Sequence, residues 1–202
     1  MKPLPEILKL SGGGFLAVAL LSGCAATRDY ASLSYVPQTG VSQIAGAGAV
    51  AVTVEMNDLR TMQKDKVGSM PGIFGSESGP ILTTDDVAGL VKSAIETELA
   101  SRGFNLGGSN VLVVAELSTF YHQYNDLAAT GTGNVTLSVQ VKRADGNMIY
   151  AKLVAGEYVA QGLLFASGCD AQMTLDLALR DAMSKLFSDQ AFIDALLKAA
   201  KS

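Results

Sequence analysis

The chain has 202 residues, of which 49% are hydrophobic and 17% charged, with a formal net charge of −4 and no Trp. That is enough apolar material for one core, and it excludes both a disordered chain and a polytopic membrane protein. Lys2, Lys9 and Glu6 place a single positive charge on the first 23 residues. The acidic remainder has no electrostatic footprint for nucleic acid and no charge-driven attraction to anionic headgroups.

The first element is residues 1–23. A basic start at Lys2 and Lys9 leads into an apolar run from Gly13 to Leu21. The run is too short for a finished membrane span and has the length of a signal-peptide core. It ends in Leu21-Ser22-Gly23-Cys24, which resembles the lipobox of bacterial lipoproteins. The resemblance implies that a signal peptidase reads Leu21, Ser22 and Gly23 and cuts before Cys24, whose thiol carries diacylglycerol. Small residues suit a narrow peptidase cleft, and Cys24 is the one side chain there that becomes a thiolate. Each buried CH₂ contributes roughly 0.8 kcal/mol, so several acyl chains hold where one holds marginally. Ala25, not Asp, follows the Cys. By resemblance to enterobacterial sorting, this points to the inner leaflet of the outer membrane, facing the periplasm. With Cys24 acylated only Cys169 remains, so no internal disulfide is expected even in an oxidising compartment.

Residues 24–48, which begin with the lipidated Cys, show no sustained period and read as a flexible tether. Fully extended it would reach at most ~80 Å, less if Tyr30, Tyr35 and Val36 pack on the body. Residues 49–202 read as a single globular α+β domain. Val50 to Met56 is a β-branched strand closed by Asn57-Asp58. Leu59 to Leu82 reads as a long Gly- and Pro-bearing loop, with Lys66-Val67-Gly68 as a short edge strand. Thr83-Thr84-Asp85-Asp86 starts a helix, with a Thr hydroxyl as the expected cap. Its apolar stripe is Val87, Leu90, Val91, Ala94, Ile95 and Leu99, and Arg102-Gly103 ends it.

Three strands follow. The first runs from Val111 to about Tyr121. The second, Asn134 to Lys142, alternates with Val135, Leu137, Val139 and Val141 inward. Ala144-Asp145-Gly146-Asn147 turns the chain into the third, Met148 to about Val159, whose facing the pattern leaves open. Ser167 or Asp170 caps a helix carrying Leu175, Ala178, Ala182, Leu186 and Phe187, and Ser188-Asp189 caps a last one carrying Phe192, Leu196 and Ala199. The order predicts a two-layer α+β sandwich: a mainly antiparallel sheet of 4–5 strands with two or three helices on one face.

These residues resemble the YajG-type lipoprotein family, small outer-membrane-associated proteins of proteobacteria. The likeness begins at the lipobox and Tyr35-Val36-Pro37-Gln38, and continues through Asn57-Asp58-Leu59-Arg60. It is most specific from Glu96 to Phe104, then follows Asp145-Gly146, Tyr150, Gly156-Glu157-Tyr158 and the acid-capped terminal helices. The resemblance implies a place and a fold; it carries no catalytic residues.

Chemistry is thin. His122 is the only His, and a thiol catalyst with Cys169 competes with a plainer reading, a strand-end His and a small buried hydrophobe. One His and one Cys are too few for zinc, and Asp85-Asp86 lacks calcium-loop spacing. Gly46-Ala47-Gly48 precedes a strand rather than a helix, the wrong order for a dinucleotide loop. Glu55, Asp58 and Glu116 read as strand-end carboxylates. The cluster Phe120, Tyr121, His122 and Tyr124 is the candidate binding patch, since rings stack on apolar faces of glycan or peptide. The expectation is therefore a non-enzymatic, membrane-anchored, periplasm-facing envelope accessory. It needs no cofactor or metal, and its partners are the membrane and other envelope proteins. The alternative is a binder of a small ligand, lipid or glycan fragment.

Overall fold

The computed structural model describes residues 28–72, 76–108 and 110–201. The signal stretch, its recognition residues Leu21, Ser22 and Gly23, and Cys24 lie outside these. Among the described residues eight strands form one sheet. They are β1 (Asp29–Tyr30), β2 (Ala51–Asp58), β3 (Lys66–Pro71), β4 (Glu77–Leu82), β5 (Asn105–Leu106), β6 (Val111–Asn125), β7 (Thr130–Arg143) and β8 (Met148–Gln161). Helices α1 (Val87–Ser101), α2 (Gly168–Phe187) and α3 (Gln190–Ala199) pack on one face of it.

The long strand β6 is the spine. Along one edge it pairs antiparallel with β7 over its whole length, and β7 pairs antiparallel with β8. Its other edge is shared. β2 runs parallel to Val111–Leu117, and β3 is parallel to it at Gly68 and His122. The sheet thus has more strands than the expected 4–5 and is mixed. The reason is connectivity: a helix between β2 and β6 returns the chain to the end it started from, which makes the two strands parallel. The expected long loop is also mostly sheet. β3 and β4 form an antiparallel hairpin with irregular register, shifted between Lys66 and Gly68 and between Met70 and Pro71. β3 is an inner strand, between β4 and β6.

The core follows the periodicities. Val135, Leu137, Val139 and Val141 on β7 are fully buried, as are Val91, Ala94, Ile95 and Leu99 on α1. On β8 it is Val154, Gly156 and Ala160 that turn inward, leaving Leu153 exposed. Asp86, rather than a Thr, caps α1 by accepting from Gly89 N at 3.0 Å. Helix α2 rests directly on two glycines of the sheet. A Cβ on Gly133 would lie 2.3 Å from the Thr174 carbonyl oxygen, and one on Gly156 2.1 Å from that of Ala178. Only the missing side chains let backbone approach backbone here.

Residues 28–48 form a strap across the helices rather than a free tether. At its start the Asp29 carboxylate accepts from Gly168 N at the head of α2 (2.6 Å). Leu33 N donates to Asp85 (2.7 Å), and Ser34 bonds Asp176 midway along α2 through both N and Oγ. Tyr35 and Gln38 then reach the end of α1, and Ala47 is buried before β2 begins. Paired polar groups and buried Ala31, Leu33 and Ala47 hold a sequence that has no period of its own.

Candidate functional site

A β-bulge decides which way the candidate patch faces. Leu117 pairs with Leu137 and Thr119 with Thr136, so Ser118 is an extra residue and the alternation shifts by one position. Ala115 and Leu117 face the helices before the bulge; Phe120 and His122 face them after it, and all four are buried. Tyr121 and Gln123 lie on the opposite face. The structure therefore separates Tyr121 from Phe120, His122 and Tyr124, the last of which is half-buried against the core at the end of the same face.

His122 belongs to the seam between β6 and α2. Its Nδ1 lies 2.8 Å from Thr174 Oγ1, and its ring covers Gly131. Burial pulls its pKa down, against a smaller opposing pull from Asp170, so the ring is neutral near pH 7. Cys169, expected to be buried, is exposed in the first turn of α2. Asp86 caps α1 and Asp85 holds the strap. Glu55 is exposed, and Glu116 stands half-buried opposite Asn57. Among the described residues no three His, Cys, Asp or Glu side chains gather as a metal site.

The segments that carry the family resemblance meet as structural joints. Glu98, fully buried, accepts from Tyr35 Oη (2.5 Å) and Gln38 N (2.8 Å), and pairs with Arg102. Arg102 also donates to Gln38 Oε1 (2.8 Å) and lies 4.4 Å over the Phe187 ring. Burial pushes the Glu98 pKa up, but the Gln38, Tyr35 and Arg102 hydrogen bonds outweigh it and the net shift is downward. Asp58 receives Arg60 through two guanidinium nitrogens and Lys64 Nζ at 3.1 Å, closing the turn after β2. Burial alone would raise its pKa; these donors bring it down to about 2. Tyr150 Oη donates to Asp189, the cap of α3 (2.9 Å), and Glu157 N donates to Asp181 on α2 (3.0 Å).

Two adjoining clefts open at one end of the sheet. β3 and β6 pair only at Gly68 and His122. Beyond that point a cleft of ≈400 Å³ lies between Ser69, Met70, Pro71, Tyr121, Gln123 and Tyr124. Tyr121 Oη bonds Ser69 Oγ there (3.0 Å). A second cleft of ≈290 Å³ shares Met70, Pro71 and Tyr124 and adds Leu164 and Phe165. A larger cavity of ≈460 Å³ beside β8 is flanked by Lys152 and Lys185, whose ammonium groups already pair with Asp189 and Asp181. Much of the buried polar chemistry thus goes into joints; the first end cleft, which also takes in Ser76, Glu77 and Asp126, is mainly polar, and the second adds apolar walls.

Fold and site together define a mixed α/β body in which the segments that carry the resemblance, from the strap, α1 and the turn after β2 among others, meet as structural joints. The chain belongs to the bacterial lipoprotein family whose model, Lipoprotein_16, is described as an uncharacterized lipoprotein and matches residues 37–197. No curated protein sequence matches it. Among solved structures, protein XCC0632 from Xanthomonas campestris is similar at TM-score 0.60 and 8% identity, over 87% of this chain and 100% of that one. A minor lipoprotein from Acinetobacter baumannii aligns at TM-score 0.40 and 14% identity, over 76% of this chain and 92% of that one. A putative lipoprotein from Caulobacter crescentus aligns at TM-score 0.37 and 8% identity, over 78% of this chain and 95% of that one. Among the described residues no helix is long and apolar enough to cross a membrane.

Proposed function

We propose that the protein is anchored by acyl chains on Cys24 to the inner leaflet of the outer membrane, facing the periplasm. Its body there serves as a non-enzymatic accessory that meets other envelope components. The observation that carries this reading is the strap. Asp29 is bonded to the head of α2 five residues after Cys24, so an acyl group on Cys24 keeps the body at the bilayer surface. Support for a non-enzymatic role comes from the placement of the reactive groups. The imidazole is buried and bonded to Thr174, whereas the thiol is exposed at the surface. The test is the mass of the N-terminal peptide of protein from its native host, with membrane fractionation of Cys24→Ala. A diacylglyceryl mass at Cys24, outer-membrane density and release by the substitution are expected; an unmodified peptide overturns the reading.

A second reading, a binder of a small ligand or glycan fragment, is favoured by the adjoining clefts lined by Tyr121 and Tyr124. A ligand that survives into native mass spectrometry and is lost in Tyr121→Ala would select it.

A further inference from the structure

We propose that the end of the body nearest Cys24 is itself a membrane-contacting surface, with Leu127, Leu164 and Phe165 entering the headgroup region of a phospholipid bilayer. The inference rests on acylation of Cys24.

Strand directions bring these residues together. β3 is parallel to β6, so Pro71 and Asn125 end at the same edge of the sheet. β4 is antiparallel to β3 and β1 is parallel to β4, so the chain reaches Asp29 from that edge too. β8 ends there at Gln161, opposite Thr130. The turn after β6 and the loop after β8 are tied to each other. Leu163 N donates to Ala129 O (3.0 Å), and Tyr124 Oη donates to Leu163 O (2.9 Å). On this tied platform Leu164 is 82% exposed, Phe165 77% and Leu127 fully so. Ala166 and Gly168, just behind them, are buried, and Gly168 is the residue that holds Asp29.

Large apolar side chains held this far into solvent on a braced platform mark a contact surface. The chain length between platform and anchor identifies the occupant. Three residues lie between Cys24 and Arg28, four steps along the chain, so the anchor can lie at most ~14 Å from the body's first described residue. A protein partner would have to fit into that gap, whereas the bilayer is already there. Apolar side chains of interfacial elements sit about 5–10 Å into the headgroup and acyl boundary. The charged residues around it include Arg28 with Asp29, Asp126 and Asp170, a net acidic set, so entry is driven by apolar burial and gains nothing from anionic lipid.

The absence of Trp makes the test direct. Phe165→Trp, and as a control Met148→Trp at the opposite end of β8, each give a single-Trp protein; Met148 is 56% exposed. Residues 24–202 with Cys169→Ser are coupled through Cys24 to a maleimide lipid in phosphatidylcholine vesicles. Attachment is thus ensured whatever the native modification, which the N-terminal peptide mass tests separately. Brominated acyl chains are expected to quench the Phe165→Trp indole at least ~3-fold more than the Met148→Trp indole, unchanged by added phosphatidylglycerol. Equal quenching at the two positions, or none at either, overturns the proposal. A photo-crosslink from position 165 to a protein in cells, with no quenching, assigns the surface to a protein partner instead.

Discussion

The two ends of α2 are finished in opposite ways. At its C-terminal end Phe187 lies beneath the Arg102 guanidinium and meets Phe192 edge-on with ring centroids 5.5 Å apart. Around them Glu98, Tyr35 and Gln38 satisfy one another's polar groups. At its N-terminal end the helix is equally well capped, with the Ser167 side chain accepting from Asp170 N. The loop leading into it nevertheless holds Leu164 and Phe165 out in solvent. The strap joins the two ends, starting at Gly168 and finishing beside Phe187. The contrast shows that two segments carrying the family resemblance, Tyr35–Gln38 and the end of α1 from Glu98 to Arg102, are consumed in holding the strap down. Leu127, Leu164 and Phe165, the most exposed of the large apolar side chains among the described residues, gather at the other end.

The largest expected effect tests the seat of α2. Gly156→Val would drive a side chain into the Ala178 carbonyl and should leave no folded protein, read from circular dichroism and soluble yield. A cooperative, native-like Gly156→Val would mean that α2 does not rest on the sheet backbone.

The sealed end is tested next. Glu98→Ala strands a buried guanidinium and should cost ~3–5 kcal/mol in urea unfolding, while Glu98→Met with Arg102→Met should recover part of the loss. A cost below ~1 kcal/mol, the range of surface pairs, would show the network open to water.

A smaller effect separates the seam of His122 from both ends. Its folded pKa lies below the ordinary value, so the unfolded chain binds the proton first. Stability should therefore fall as pH drops below about 6.5, by at most ~1.4 kcal/mol per pH unit. His122→Gln should flatten the slope between pH 7 and pH 5, whatever it costs at pH 7. An unchanged slope would place the titration elsewhere. The carboxylates Asp58 and Glu98 have lowered pKa values and lose their contribution only at more acid pH.

The smallest effect on stability belongs to the bare end. Leu127→Ser, Leu164→Ser and Phe165→Ser should each change unfolding free energy by no more than ~0.5 kcal/mol, since they unmake no core. A loss of several kcal/mol would mean that the loop packs more closely than its exposure indicates.

Much of this was legible in the residues. The stripe from Val87 to Leu99, the alternation from Val135 to Val141 and the Asp145-Gly146 turn all appear where the pattern puts them, with Gly146 at φ 86°. The bulge had a signal too: buried positions step by two as far as Leu117, then by three to Phe120. Read that way, His122 falls on the core face. The β3–β4 hairpin was harder to see, because glycine and proline at Gly68, Pro71 and Pro80 mask a strand whose register is irregular. The strap had no periodic signal at all; its hydrogen bonds go to β4, to α1 and the residues flanking it, and to α2.

The residues by themselves determined the export signature, the helices with the caps of α2 and α3, and the inward faces of regular strands, because each depends on residues close along the chain. Tertiary structure alone decided the parallel pairing of β2 with β6, the fit of α2 onto Gly133 and Gly156, and the laying of residues 28–48 across the helices. Each of these needs partners dozens of residues distant, whose identity is set only when the whole core closes at once.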